Sequence, residues 1–437
     1  MHKNKYEIEI LKIESHITGL NIALSHKIPT SPNNGTPVLF LHGSSFPSQL
    51  SFNFKMNQES WMDYLCEKGF DVYALDFLGY GNSDRYPEMD RQESMKVIGR
   101  ANEVYKDVEI AVNYITGKSG KHNVFLIGHS WGGTVAALFA SLYPNRVEKL
   151  VLFATLTERK SETKRQNING SYETMTPKQR IDAMIELTPK GISSELEMDI
   201  FESWGDLWKE SDPLSKKWGT DYIKFPSGPS QDVQDLLNNK AYYDPKKIKS
   251  PTLIIRGEWD CYPNNQDAYH LFTALENAAS KKYVVLEKGT HVMHLEKNRY
   301  KLYDEVLYFF GNKEKIKKHS GSIAVIFEVT LHEGKQKEYL EIAAELKTEL
   351  GKIPGFISIE RFQSLTQPDK LLSLSFWESE DAVQKWRNSE LHRRAQSVGR
   401  TLIFKDYRLR IGDIIRDYGM IDRKEVPIDS QNYHIVN

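Results

Sequence analysis

The run Gly128-His-Ser-Trp-Gly132 sets a serine between two glycines, each two residues away. Four apolar residues precede it, Val124-Phe-Leu-Ile127, which is the length of a buried strand. A helix-like segment follows from Thr134 to Tyr143, with Pro144 beyond its end. Strand, sharp turn and helix together present Ser130 at the tip of the turn. A side chain held there forces unusual backbone angles, and flanking glycines let strand and helix approach without a Cβ clash. The start of the helix lies under the serine, where its dipole and free N–H groups favour developing negative charge. The chemistry that suits such a residue is nucleophilic attack by an activated hydroxyl. Taken alone, the pentapeptide is also compatible with a plain strand–turn–helix carrying an incidental serine.

The elements around it decide between the two. Tyr6 to Ile13 and Leu20 to Ile28 read as half-exposed strands joined by a turn at Ile17–Leu20. Val38–Leu41, Val72–Leu75, Val147–Thr155, Pro251–Ile255 and Tyr283–Leu286 are short apolar strands. Helices are expected at Ser60–Lys68, Arg100–Thr116 and Asn298–Phe310. Apolar strands alternating with helices imply a parallel sheet covered on both faces. The alternation breaks from about 156 to 245, a polar, helix-like insertion rich in tryptophan.

At 437 residues the chain is comfortable for two domains. A formal net charge of -1 gives no reason to expect nucleic acid or an anionic membrane as partner. Two cysteines, Cys66 and Cys261, form no disulfide framework, and with no apolar leader or spanning run the expectation is a cytoplasmic protein.

Residues 1–311 resemble the α/β-hydrolase superfamily with a helical cap, on the elbow, on His42-Gly43 after an early strand, and on the order of the motifs that follow. That resemblance implies a triad running Ser, acid, His along the chain, each at a strand end. Ser130 takes the nucleophile position. Asp260, in Arg256-Gly-Glu-Trp-Asp260, takes the acid position, with Glu258 or Glu158 as rivals. His291, in Lys288-Gly-Thr-His291, takes the base position, with His294 as rival. The oxyanion donors implied are the backbone N–H groups of Trp131 and Ser44. His129 and His42 are expected to be structural, and Cys261 a small buried filler. Haloalkane dehalogenases and epoxide hydrolases carry an aspartate at the elbow, so a serine argues against those chemistries. The cap aromatics Phe201, Trp204, Trp208, Trp218, Tyr222 and Phe225 either line an apolar substrate pocket or pack the cap onto the sheet. The expected substrate is a small or medium apolar carboxylic ester, thioester or lactone, with cleavage of N-terminal proline as a further family activity. No metal and no cofactor is expected.

Residues 312–321 read as a solvated linker, and 419–437 as a loose tail. Between them, the order β-α-β-β-α-β over 322–418 is ferredoxin-like. Ser375-Phe-Trp-Glu-Ser-Glu-Asp-Ala-Val-Gln-Lys-Trp386, Ser389-Glu-Leu-His392 and Phe404-Lys-Asp-Tyr-Arg-Leu-Arg410 resemble the antibiotic-biosynthesis monooxygenase family. That family contains cofactor-free oxygenases, haem degraders and members without known activity. Trp386 and His392 are the residues a haem site would use, but the first strand, Ile323–Val329, lacks the asparagine that goes with it. The resemblance implies a homodimer, two domains pairing their sheets edge to edge. Three readings stand: a serine hydrolase tethered to a dimerising module, a bifunctional hydrolase–monooxygenase, and a ligand-binding protein on a hydrolase fold.

Overall fold

The computed structural model describes residues 7–32, 35–91, 95–159, 168–311, 323–414, 416–420, 423 and 426. Chain contacts divide it into two compact units, Met1–Lys313 and Glu314–Asn437. The expected linker at 312–321 and most of the expected tail lie outside the described residues.

Unit one is built on an eight-stranded sheet. Its strands are β1 (Ile8–Glu14), β2 (Asn21–Lys27), β3 (Val38–Leu41), β4 (Val72–Asp76), β5 (Val124–His129), β6 (Val147–Phe153), β9 (Thr252–Gly257) and β10 (Lys281–Leu286), with β7 (Tyr172–Met175) and β8 (Ile223–Pro226) pairing apart from it. The order is β1-β2-β4-β3-β5-β6-β9-β10. β1 and β2 form an antiparallel hairpin at one edge, and β4 through β10 run parallel. The unbroken apolar runs follow from burial on both faces. Leu39, Leu41, Leu126, Leu150 and Leu152 enter one core. Val38, Phe40, Phe125, Ile127, Val151 and Phe153, their neighbours along the same strands, enter the other. A strand whose alternate side chains are both buried has no polar phase to display.

The order reverses at β3, since the chain goes from β3 to β4 on one side and to β5 on the other. The loops leaving β3 and β5 therefore diverge and open a crevice at the strand ends. Ser130 and His42–Ser45 sit there.

The insertion between β6 and β9 folds as helices Pro177–Ile185, Met198–Ser211, Pro213–Trp218 and Gly228–Leu237, with β7 and β8 as an antiparallel pair. The two-stranded piece was not legible as such: Phe225-Pro-Ser-Gly-Pro229 reads as an interruption, whereas Phe225 and Pro226 end β8 and Gly228 starts the next helix.

Unit two is a four-stranded antiparallel sheet in the order β12-β13-β11-β14, with β11 Ile323–Leu331, β12 Phe356–Gln363, β13 Lys370–Trp377 and β14 Phe404–Asp413. Helices Gln336–Leu350, Glu380–Arg387 and Glu390–Val398 complete it. The last helix ends in a wider turn at Gly399–Ile403, which leads directly into β14. On β13, Leu371, Ser373, Ser375 and Trp377 are buried, while Leu372, Leu374 and Phe376 on the opposite face are half-buried. Among the described residues no helix is long and apolar enough to cross a membrane.

Close approach at the elbow makes a prediction. A Cβ on Gly132 would press into the carbonyl oxygens of Leu41 and His42, which are backbone and cannot yield. Gly117, within helix Ala101–Ser119, has open space around that position. Gly132→Ala is expected to destabilise by about 2–3 kcal/mol, and Gly117→Ala to stabilise by up to about 1 kcal/mol, as read by urea denaturation.

Candidate active site

Ser130 stands between β5 and the helix Trp131–Leu142, at φ 55° and ψ -124°. A residue with a Cβ rarely adopts that conformation, and holding it there costs about 1–3 kcal/mol. It is held by bonds on either side: its N–H donates to the Phe153 carbonyl (2.9 Å), and its carbonyl accepts from Gly133 N–H (3.0 Å). The helix starts at Trp131, three residues before the sequence pattern suggests, so the Trp131 amide is one of the N–H groups a helix leaves without an internal partner.

His291 Nε2 lies 2.8 Å from Ser130 Oγ, and its Nδ1 lies 3.0 and 3.2 Å from the Asp260 carboxylate oxygens. A carboxylate only accepts, so Nδ1 carries the proton and Nε2 is left to accept from the serine hydroxyl. Asp260 is buried, and its Oδ1 also accepts from Tyr262 N–H at 3.0 Å. The rivals are placed elsewhere. Glu258 is exposed and accepts from Lys288 N–H. His294 is sealed, with no partner for either ring nitrogen, and burial pushes its pKa down to about 3.

Two glycines bring acid and base together. A Cβ on Gly257 would run into the backbone of Gly289 and Thr290, so the loop after β9 and the loop after β10 touch only because both positions lack one. Trp259 N–H donates to the Gly289 carbonyl at 2.9 Å across that contact. Arg256 fixes the acid loop from below: Nε donates to the Pro263 carbonyl (2.9 Å), and Nη2 to the Asp260 carbonyl. Arg256 and both glycines stand within the two sequence motifs, where no role is assigned to them. A charge directly after the apolar run Leu253–Ile255 was the signal for Arg256.

The second loop is as closely held. Phe77 N–H donates to His42 Nε2 (3.2 Å), so His42 Nδ1–H donates to the Gly43 carbonyl (2.7 Å). Burial lowers its pKa and keeps it neutral, which suits the structural role expected of it. Tyr80 donates to the Ser44 carbonyl at 2.6 Å, and a Cβ on Gly43 would meet the Ser130 Cβ at 3.3 Å, so this loop passes beside Ser130. His129 Nε2 donates to the His291 carbonyl (2.9 Å), and burial holds its pKa well below the usual value.

The tryptophans divide. Trp204 and Trp208 have no surface that water reaches, and Trp204 Nε1 donates to the Leu50 carbonyl. Both pack in the hydrophobic core, Trp204 against Phe46 and Phe201. Trp218 is 48% exposed and its Nε1 donates to Asp90. The Trp131 ring is buried too, its Nε1 donating to Asp232 (2.9 Å), which also accepts from Ala101 N–H and Arg100. Cys261, expected to be buried, is exposed. Arg180, on the cap helix Pro177–Ile185, lies over the Phe46 ring with a sealed Nε that has no acceptor. Its charge helps depress His129 and His294. An arginine in a polar helix carries no sequence signal of such a position.

In unit two, the His392 ring stacks on Trp386 at 4.5 Å. Its Nδ1 donates to the Trp386 carbonyl (3.2 Å), and Gln396 approaches Nε2 at 3.4 Å. With both nitrogens engaged and no asparagine on β11, these residues do not fit a haem ligand set. No cluster of three or more metal-ligating side chains occurs among the described residues.

A family model described as alpha/beta hydrolase fold matches residues 36–298, and one described as antibiotic biosynthesis monooxygenase matches 322–398. AB hydrolase superfamily protein YisY of Bacillus subtilis is 28% identical over 262 residues, 57% of this chain and 81% of that one. Proline iminopeptidase of Heyndrickxia coagulans is 27% identical over 284 residues, 60% of this chain and 86% of that one. Jasmonate monooxygenase ABM of Pyricularia oryzae is 43% identical over 91 residues, 21% of this chain, which spans 42% of that protein's length.

Glu296 yields a pH prediction beside this site. It is buried and accepts from the Thr290 N–H and hydroxyl, yet burial raises its pKa to about 7. From about pH 4.5 to 7 the unfolded chain ionises this group while the folded protein keeps it protonated, so rising pH destabilises the fold. Glu296→Gln is expected to gain Tm relative to wild type across that window and to hold a constant gap above pH 7, as measured by calorimetry.

Proposed function

The chain belongs to the α/β-hydrolase fold family and carries a C-terminal domain of the antibiotic-biosynthesis monooxygenase family, and on that premise we propose that it is a serine hydrolase of carboxylic esters, thioesters or lactones. The observation that carries the reading is the relay Ser130–His291–Asp260, with 2.8 Å from nucleophile to base and 3.0 Å from base to acid.

In this reading Ser130 Oγ attacks the acyl carbon as its proton passes to His291 Nε2. Asp260 holds the imidazole in the accepting tautomer and stabilises the imidazolium. The oxyanion gathers on the N–H groups of Trp131 and Ser44, each worth roughly 3–4 kcal/mol of barrier. Collapse expels the alcohol or thiol, protonated by His291. Water then enters, gives its proton to the same nitrogen and releases the carboxylic acid. The Arg180 cation, whose charge reaches His129 and His294, disfavours a positively charged substrate, which weighs against cleavage of an N-terminal proline, a cationic amine near neutral pH. Ser130→Ala is expected to lower kcat/KM for a graded series of acyl esters by on the order of 10⁴–10⁶-fold with Tm unchanged; retained turnover would sink the assignment.

The half-buried face of Ile326, Leu372, Leu374 and Phe376 supports a homodimer through 322–418. Light scattering of the full-length protein is expected to give the dimer mass, and Leu374→Glu the monomer mass. A second reading, favoured by the 43% identity to jasmonate monooxygenase ABM, adds a monooxygenase activity to this domain. Oxygen uptake with phenolic substrates tests it, and its absence across the panel counts against it.

A further inference from the structure

The C-terminal domain holds a partly open cavity of about 220 Å³ between the covered face of its sheet and its helices. Its wall is mostly apolar, with Trp377 and Phe404 among the largest contributors. The charged residues on that wall are Lys347, Arg361, Arg387 and Arg400, and no aspartate or glutamate lines it. Lys347, Arg387 and Arg400 are exposed, whereas Arg361 is half-buried on β12. The Arg361 Nε is sealed from water and has no acceptor, a terminal nitrogen donates to the Ala343 carbonyl at 3.4 Å, and the side chain also hydrogen-bonds Tyr339. Among the described residues no carboxylate pairs with it. The Tyr339 hydroxyl lies beside it and lines the same cavity.

A guanidinium turned to an apolar space without an anion is an expensive arrangement for a domain that needs only to fold. It becomes favourable when a planar anion fills the gap, because two parallel N–H groups match a carboxylate. The volume lies below the roughly 300–1,000 Å³ of drug-sized sites, so the ligand is small. We propose that this cavity binds a small apolar carboxylic acid as its carboxylate, the anionic end on Arg361 and Tyr339 and the apolar body against Trp377 and Phe404. The binding requires neither the hydrolase assignment nor any oxidation of what is held.

The test is isothermal titration of the full-length protein with 1-naphthylacetate and with 1-naphthylacetamide, which share a shape and differ in charge. The acid is expected to bind at least 10-fold more tightly than the amide. Arg361→Met is expected to abolish that preference by weakening the acid alone, and Arg361→Lys to keep part of it. The acid should raise the Tm of wild type and not that of Arg361→Met. Should Arg361→Met not fold, Tyr339→Phe replaces it and is expected to weaken the acid and spare the amide. Arg180→Met, in the other domain, is expected to leave both affinities unchanged. Equal binding of acid and amide, no binding of either, a preference that survives Arg361→Met, or one that disappears in Arg180→Met would each overturn the proposal.

Discussion

The strained backbone of Ser130 is the constraint on which the rest of the N-terminal domain depends. Its positive φ persists only because neighbours leave it no alternative. Phe153 and Gly133 hold its peptide groups, and the glycines at 128, 132 and 133 let β5, the following helix, β3 and Thr155 come within contact distance. The turn is therefore a junction of three strands. Its geometry projects the hydroxyl into the crevice that the strand reversal at β3 opens.

The electrostatics around that hydroxyl are arranged by exclusion as much as by attraction. Four histidines belong to the loops around it, at 42, 129, 291 and 294, and the rings of His291 and His294 lie 5.3 and 4.4 Å from that of His129. Three are kept neutral by burial, so none competes for the carboxylate. Asp260 bonds the fourth, and Arg256 spends its donors on the carbonyls of Pro263 and Asp260 and on Asn265 instead of on that acid. The Asp260 carboxylate is thus directed at His291 alone among these histidines, and an imidazolium formed there has that carboxylate to stabilise it.

Polar anchors, not apolar contact alone, lock the cap. Asp232 gathers the Trp131 indole, the Ala101 amide and Arg100, so the helix after Ser130 and the cap helix Gly228–Leu237 share one buried carboxylate. Burial tends to raise the Asp232 pKa, and those donors oppose it. The C-terminal domain follows a different economy. Its small core leaves a cationic-lined cavity on one side of the sheet and a half-buried apolar face on the other.

The parallel sheet, its covered faces and the elbow were legible in the chain because they rest on local patterns: apolar runs of strand length, a glycine two residues either side of Ser130, and helical spacing between them. The order Ser130, Asp260, His291 followed from resemblance, since nothing local ties residues 130 and 161 positions apart. What brings those side chains within hydrogen-bonding distance is tertiary: the Gly257–Gly289 contact, the reversal at β3 and the clamp of Arg256. Burial decided the tryptophans for the same reason. Trp204, Trp208 and Trp218 share a polar segment and look alike in sequence, yet two are sealed and one faces water, because a helix face is inward or outward only relative to what it packs against.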